Sequence, residues 1–456
     1  MSNTVTQTEP SRSLFTTKSL ISLALPLIVE QLLSITVGMF DTMMVSNIGQ
    51  TAVSGISLVD SVNVLLNNIL NALGIGGSVI IAQLLGRKDM DNAEEASRQV
   101  MLLAGLASGA VAVIAILLNR QILGLLYPKI EAEVMRNGIT YFYVTALSYP
   151  VWGVYNACAG VFRAMGNTKV SMTVSFGMNI LNVALNALFI YGLHMGVLGA
   201  GLATLIARTA ASVWLVIRLR SPQNPLSVRS YTLRLQGKYV KEILSIGLPT
   251  SFENLIFQLG KIMIATQVAL LATSAIAANA VTNSVSGIQT IPGAGIRIAS
   301  LTVVGQCIGA SRKDEAELNL RRLMRMAYVS HLILNIGVVL ASGLIVSWYG
   351  LGEEAAAVAR RLLLMNAVAA CTVWPPSFIL PHAFRGARDI KMPFIISVVS
   401  MWLCRVFGSI LLGNILGFGI YGIWAAVILD WLFRAVFYTV RFLRGTWAKQ
   451  QAVMEK

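Results

Sequence analysis

Two acids sit in the first long apolar stretch of the chain, Glu30 and Asp41 in ALPLIVEQLLSITVGMFDTMM. They are 41 − 30 = 11 residues apart. At about 100° per residue, a helix returns them to within roughly 20° of one face. Buried among hydrocarbon, a carboxyl group is expensive and marks either a site or a satisfied structural contact. Desolvation penalises the charged form, so such a group can exchange a proton near neutral pH. It can also hold a monovalent cation when other oxygens are close. A hydrogen-bonded structural role is the competing reading for both; the site reading leads for Asp41, and the structural one for Glu30, which stands nearer the cytoplasmic end of the helix.

Oxygen-bearing partners recur in the other apolar stretches. MNILNVALNALFIYG carries Asn179, Asn182 and Asn186, and the last two are stacked four apart on one helix face. A carboxamide stripe of this kind glues helices together or offers carbonyl oxygens to a cation, and spacing leaves both open. Asp60, Asn63, Asn67, Asn68 and Asn71 follow spacings of three and four that build a cavity wall or glue helices together. Glu253 and Lys261 share a face two turns apart, too distant for direct contact on a straight helix. Arg297, shortly after IPGAG, is a further base in an apolar run, and Asp430 with Arg434 forms an i,i+4 pair that neutralises itself. Tyr141, Tyr149, Trp152, Tyr155 and Trp374 either line a cavity or pack.

Other chemistry is poorly supported. Cys158, Cys307, Cys371 and Cys404 carry no CxxC or Cys/His pattern and read as small packing residues. His194, His331 and His382 are scattered, so no metal site is expected beyond a possible sodium ion at Asp41. The chain lacks GxxxxGK[ST], the cradle for nucleotide phosphates. Any work must draw on a proton or sodium gradient or an outside partner, without a cofactor.

The elements that position these groups are membrane helices. Hydrophobic residues make up 56% of the chain and charged residues 12%, where soluble domains carry about 25% charge. Mean hydropathy is +0.71. Twelve apolar runs are long enough to cross a hydrocarbon core of about 30 Å: 18–46, 52–84, 94–119, 137–160, 169–192, 196–219, 240–270, 275–308, 318–348, 358–383, 391–414 and 419–443. Helices satisfy their own backbone groups in lipid, so an all-α bundle is predicted.

The chain also repeats itself. Pro26 and Glu30 recur as Pro249 and Glu253, Ser61 as Ser284, and Gln83 and Gly86 as Gln306 and Gly309, each at an offset of 249 − 26 = 223. Phe162-Arg163 recurs as Phe384-Arg385, at 384 − 162 = 222, a slip of one residue. Two parallel halves predict two six-helix lobes with a path between them. The lobes are expected at 18–219 and 240–443, with tails at 1–17 and 444–456 and a linker at 220–239.

The net charge of +15 is not a nucleic-acid footprint, because the bases fall in alternate connections. One set runs from Arg12 and Lys18, through Arg87, Lys88 and Arg98, to Arg441, Arg444 and Lys449, whereas SNIGQT, YGLHMG, LATSA and GNILGFG carry none. Both tails are therefore expected in the cytoplasm, with the chain a multi-pass monomer of the inner or plasma membrane. The polar first 17 residues read as a tail without a cleaved leader. The basic 218–241 stretch is predicted to be an amphipathic segment on the inner leaflet.

The sequence P…DT..V..IG, followed by AVSGISLV, QLLGRKD, FRAMGNTK, NILNVALNALFIYG, GVLGAGLATLIAR and FRGARDIKMP, resembles the multidrug and toxic compound extrusion (MATE) family over nearly the whole chain. The resemblance implies twelve helices around a V-shaped cavity. It further implies export of organic cations and other amphiphiles in exchange for protons or sodium ions. By the same resemblance, Asp41, Asn182, Asn186 and Thr204 form the ion-coupling cluster. Asn186 stands where many members have aspartate. One carboxylate in place of two tilts the expectation towards protons. Some members carry a seventh-helix glutamate where this chain has Phe257, and the tenth helix has no acid, so coupling should rest on the N-terminal half. Glu30, Asn67, Asn71, Tyr149, Glu253, Lys261 and Arg297 are the expected cavity residues, and small organic compounds and the bilayer the expected partners. A lipid-linked precursor or oligosaccharide flippase is the alternative. A channel or scaffold fits the two-lobe repeat less well.

Overall fold

The computed structural model describes residues 13–229 and 234–448. Arg12, Lys449 and most of both tails lie outside the described residues. Among the described residues every regular element is helical, as lipid requires. The helices form twelve spans. The first three are Thr17–Ser46, Gln50–Gly86 and Met90–Leu126. The fourth joins Ala132–Leu147 to Tyr149–Ala164, and the fifth and sixth are Thr168–Gly192 and Gly196–Leu219. The seventh is Gly237–Ala269, and the eighth joins Thr273–Gln289 to Ile291–Gly309. Lys313–Leu340 is the ninth, and Glu353–Thr372 with Trp374–Gly386 the tenth. Lys391–Ile415 and Gly419–Leu443 complete the set.

Ten of these helices are long and apolar enough to cross a membrane on their own. The other two spans fall short for identifiable reasons. The fourth is broken at Ser148, just before Pro150, whose ring cannot continue the hydrogen-bond ladder. The seventh carries Lys238, Lys241, Glu242, Glu253 and Lys261.

The repeat is visible in the backbone itself. Left-handed residues end the second and eighth spans at Lys88 (φ 63°) and Ser311 (φ 59°), at an offset of 311 − 88 = 223. Gly166 and Arg388 after the fourth and tenth spans are offset by 388 − 166 = 222, and Gly196 and Gly419 before the sixth and twelfth by 419 − 196 = 223. The one-residue slip is thus local. It is regained across the eleventh span, where π-helical turns run over Met401–Phe407 and Ile410–Ile415, against Ala187–Gly192 alone in the fifth. A π turn accommodates an inserted residue without breaking the helix.

The halves meet at the end of the bundle that bears the basic connections. Leu20, Leu23, Ala24 and Leu27 of the first span pack with Ile296, Ala299 and Val303 of the eighth. Tyr239, Ile243 and Ile246 of the seventh pack with Val79, Ile80 and Leu84 of the second. Two repeat-related glutamines tie this seam. Gln83 Nε2 donates to the Gly386 carbonyl at 2.8 Å, and Gln306 Nε2 to the Ala164 carbonyl at 2.6 Å. Gly86 and Gly309 are required here, since a Cβ on either would strike the backbone carbonyl of Gln306 or Gln83. Towards the other end, the first span turns exposed, with Met39, Phe40 and Met43 uncovered.

One expectation is corrected. No helix occupies the described part of 220–236, and Leu226 and Val228 are buried in the core of the first half. Pro222 and Pro225 prevent an amphipathic helix from forming there. The described part of the linker up to Arg229 is a tacked-down strap.

Candidate ion-coupling and substrate site

The two acids of the first span share a face, because both meet the fifth span. Glu30 Oε2 accepts from the Ser171 hydroxyl at 3.1 Å, and Asp41 Oδ1 accepts from Asn186 Nδ2 at 2.8 Å. Asn182 faces the same carboxylate. In the orientation that satisfies both its oxygen and its nitrogen, its amide donates to Asp41 Oδ1 at 2.9 Å. Thr204 of the sixth span lies 3.5 Å from the Asn182 carboxamide. Asp41, Asn182, Asn186 and Thr204 are therefore brought together, while Glu30 stands apart on its own partner. Asn186 Oδ1 is buried and meets no donor. It is an acceptor beside a carboxyl group that can carry a proton.

Two further charged residues join this cluster. Asp60 of the second span is within electrostatic reach of Asp41 and Arg208, and its Oδ1 accepts from Asn63 at 3.3 Å. Arg208 donates to Ser148 Oγ at 2.8 Å, at the break in the fourth span, and its guanidinium lies 4.7 Å from the Trp152 ring centre. Sequence reasoning passed over Arg208. The available signal was a base inside an apolar run, four residues after Thr204 and so on the same helix face.

Tyr149 is not a cavity residue. It is fully buried, and its hydroxyl donates to Asn63 Oδ1 at 2.6 Å; the helix break turns it inward. Tyr141 and Tyr155 are likewise buried in the first half. Asn67 is half-buried, with an Oδ1 that meets no partner among the described residues.

In the second half, a cavity of about 670 Å³ opens among the seventh, eighth, tenth, eleventh and twelfth spans. Lys261, Arg297 and Trp374 line it. A smaller void of about 180 Å³ shares Arg297 with it and reaches Asn71, Glu253 and Arg385. Glu253 does not stand alone there, because Arg385 of the tenth span donates to Glu253 Oε2 at 2.5 Å. The pair neutralises the acid and joins two spans. Asp430 binds Arg434 at 2.9 Å, as its spacing implied, and also Arg405 at 3.0 Å. One carboxylate thus serves two guanidinium groups.

Twelve spans in two repeat-related halves, with a charged cavity in the second, have the architecture of a multi-pass membrane protein. The MatE family profile matches twice, at residues 26–188 and 249–411, again at an offset of 249 − 26 = 223. The chain belongs to the MatE family. It is 25% identical over 444 residues to the probable multidrug resistance protein NorM of Thermotoga maritima, covering 95% of this chain and 93% of that protein. It is also 25% identical over 444 residues to the multidrug resistance protein NorM of Vibrio parahaemolyticus, covering 93% of this chain and 94% of that protein. Among solved structures, a MATE protein in the bent conformation superposes with a TM-score of 0.84 at 18% identity, over 94% of each chain. An outward-facing MATE family transporter of the MOP superfamily superposes with a TM-score of 0.85 at 18% identity, over 94% of this chain and 96% of that one.

Proposed function

We propose that the protein is a secondary antiporter that exports amphiphilic organic compounds in exchange for protons, with Asp41 as the coupling acid. The observation that carries this is the single carboxylate clasped by two carboxamides. Each amide donates to the ionised form of Asp41. Once Asp41 holds a proton, the unpartnered Asn186 Oδ1 can accept it after the amide turns. Both protonation states are thereby accommodated at one place. The names of the relatives, multidrug resistance proteins, support an export role.

The seam supports a reading of alternating access. With the basic connections read as cytoplasmic, in the inner or plasma membrane, the seam closes the inner end, and rocking of the halves opens it in turn. Protonation of Asp41 from outside and substrate binding compete, and deprotonation inside resets the cycle. Proteoliposomes loaded with a fluorescent amphiphile, with pH and sodium gradients imposed separately, test this reading. Export driven by sodium alone would refute proton coupling.

Two predictions arise here. Changing Gln83 and Gln306 to alanine removes both seam hydrogen bonds, each worth about 0.5–1.5 kcal/mol net. The closed seam should lose about 1–3 kcal/mol against the opposite state. Electron–electron resonance distances between spin labels at Lys88 and Ser311 should broaden to longer values; an unchanged distribution would show that the seam rests on packing alone. Asn186→Asp places a second carboxylate against Asp41, at the position now 2.8 Å from it. Like charges that close hold a cation or share a proton. Sodium affinity, read by calorimetry, should rise by at least about tenfold; no change would separate Asn186 from the ion path.

A further inference from the structure

We infer that the cavity of the second half is an anion site, built for an amphiphile with an acidic head on an aromatic body. The inference rests on the export reading and narrows its cargo. Lys261 and Arg297 have no acidic partner among the described residues. The charged groups that act on Lys261 are Arg405 and Arg297, and the one that acts on Arg297 is Arg385, all cations themselves. Arg297 Nε is buried and meets no acceptor. Arg405 and Arg434 share the one carboxylate of Asp430, and Glu253 is spent on Arg385. Counting Lys261, Arg297, Arg385, Arg405 and Arg434 against Glu253 and Asp430, the region keeps an excess of 5 − 2 = 3 positive charges.

Phe257 makes the arrangement specific. Its ring centre lies 5.3 Å from Lys261 Nζ, and 5.0 and 5.2 Å from the guanidinium carbons of Arg405 and Arg434. An aromatic ring tolerates three cations around it without cancelling their charge as an acid would. Trp374, Phe378, Trp424 and Trp431 add aromatic surface to the lining of the same cavity. A cationic compound would meet like charge on entry. An aromatic carboxylate, or a lipid phosphate, would find two unpaired bases and a stacking surface. The first half, with Asp41 and Asp60 against Arg208, carries the opposite excess. The acid that handles protons and the bases that hold the cargo thus sit in different halves.

Fluorescein and rhodamine 123 share one ring scaffold with opposite charge, which makes them the probes. Their binding is measured by fluorescence polarisation on the full chain in phosphatidylcholine nanodiscs at pH 8, with no gradient. Fluorescein should bind at least about tenfold tighter than rhodamine 123, and Lys261→Gln with Arg297→Gln should weaken it by at least about tenfold. Lys261→Arg with Arg297→Lys should bind fluorescein as the parent does, which separates charge from folding. Tighter binding of rhodamine 123, or fluorescein affinity unchanged in a well-folded double glutamine variant, overturns the inference. Displacement of fluorescein by 1-naphthoate in preference to dihexanoyl phosphatidate supports the aromatic body; preference for the phosphatidate overturns that part and makes the acid a lipid head group. Displacement by neither overturns the site. Because this binding assay imposes no gradient, its outcome is read apart from the proteoliposome test of proton coupling.

Discussion

Asp41→Asn is expected to abolish gradient-driven export while leaving the protein folded. The substitution keeps the size of the side chain but removes the group that ionises. The surroundings tolerate it. Asn186 and Asn182, which donate to the carboxylate at 2.8 and 2.9 Å, can turn to meet an amide instead. Without a titrating group, proton binding no longer competes with substrate, and the gradient loses its hold on the lobe equilibrium. A loss of at least about a hundredfold in pH-driven uptake into proteoliposomes corresponds to roughly 2.7 kcal/mol of coupling. Substrate counterflow without a gradient should survive. Transport still driven by pH at the parental rate would move the coupling acid elsewhere, with Asp60 the nearest candidate.

Asp430→Asn should be the most destabilising single change. Asp430 is fully buried, and the side chains of Arg405 and Arg434 are 6% and 4% exposed. Removing one carboxylate leaves two guanidinium groups without a counter-charge. Breaking a buried ion pair costs about 3–5 kcal/mol. Arg434 keeps hydrogen bonds to Ser400 and to the Ser397 carbonyl, whereas Arg405 keeps, among the described residues, the Phe257 ring. The folded yield and the thermal midpoint in detergent should both fall sharply. Adding Arg405→Met should restore much of the loss, since an apolar replacement of a buried charge is often neutral or better. A variant as stable as the parent would mean that water reaches the triad.

How far sequence and structure each carried depends on the physics involved. Lipid forbids unsatisfied backbone, so twelve apolar runs could only be helices, and the described spans match them closely. The spacing of Glu30 and Asp41 placed them on one face because helical periodicity is local. The same locality paired Asp430 with Arg434 four residues on. Contacts between distant segments are another matter. Nothing along the chain tells that Arg385 neutralises Glu253, 385 − 253 = 132 residues away, or that Arg405 joins Asp430. Tyr149 could have lined a cavity or packed until the break at Ser148 turned it inward.

The sequence by itself determined the membrane environment, the helical fold, the twofold repeat and the acids and amides of the first half. Each of these follows from composition, from periodicity or from offsets between similar segments. Only the tertiary structure decided which charges cancel and which remain. Electrostatic balance is a property of distance in three dimensions, and the packing of five spans around one cavity, not their order in the chain, leaves Lys261 and Arg297 without an ion-pair partner among the described residues.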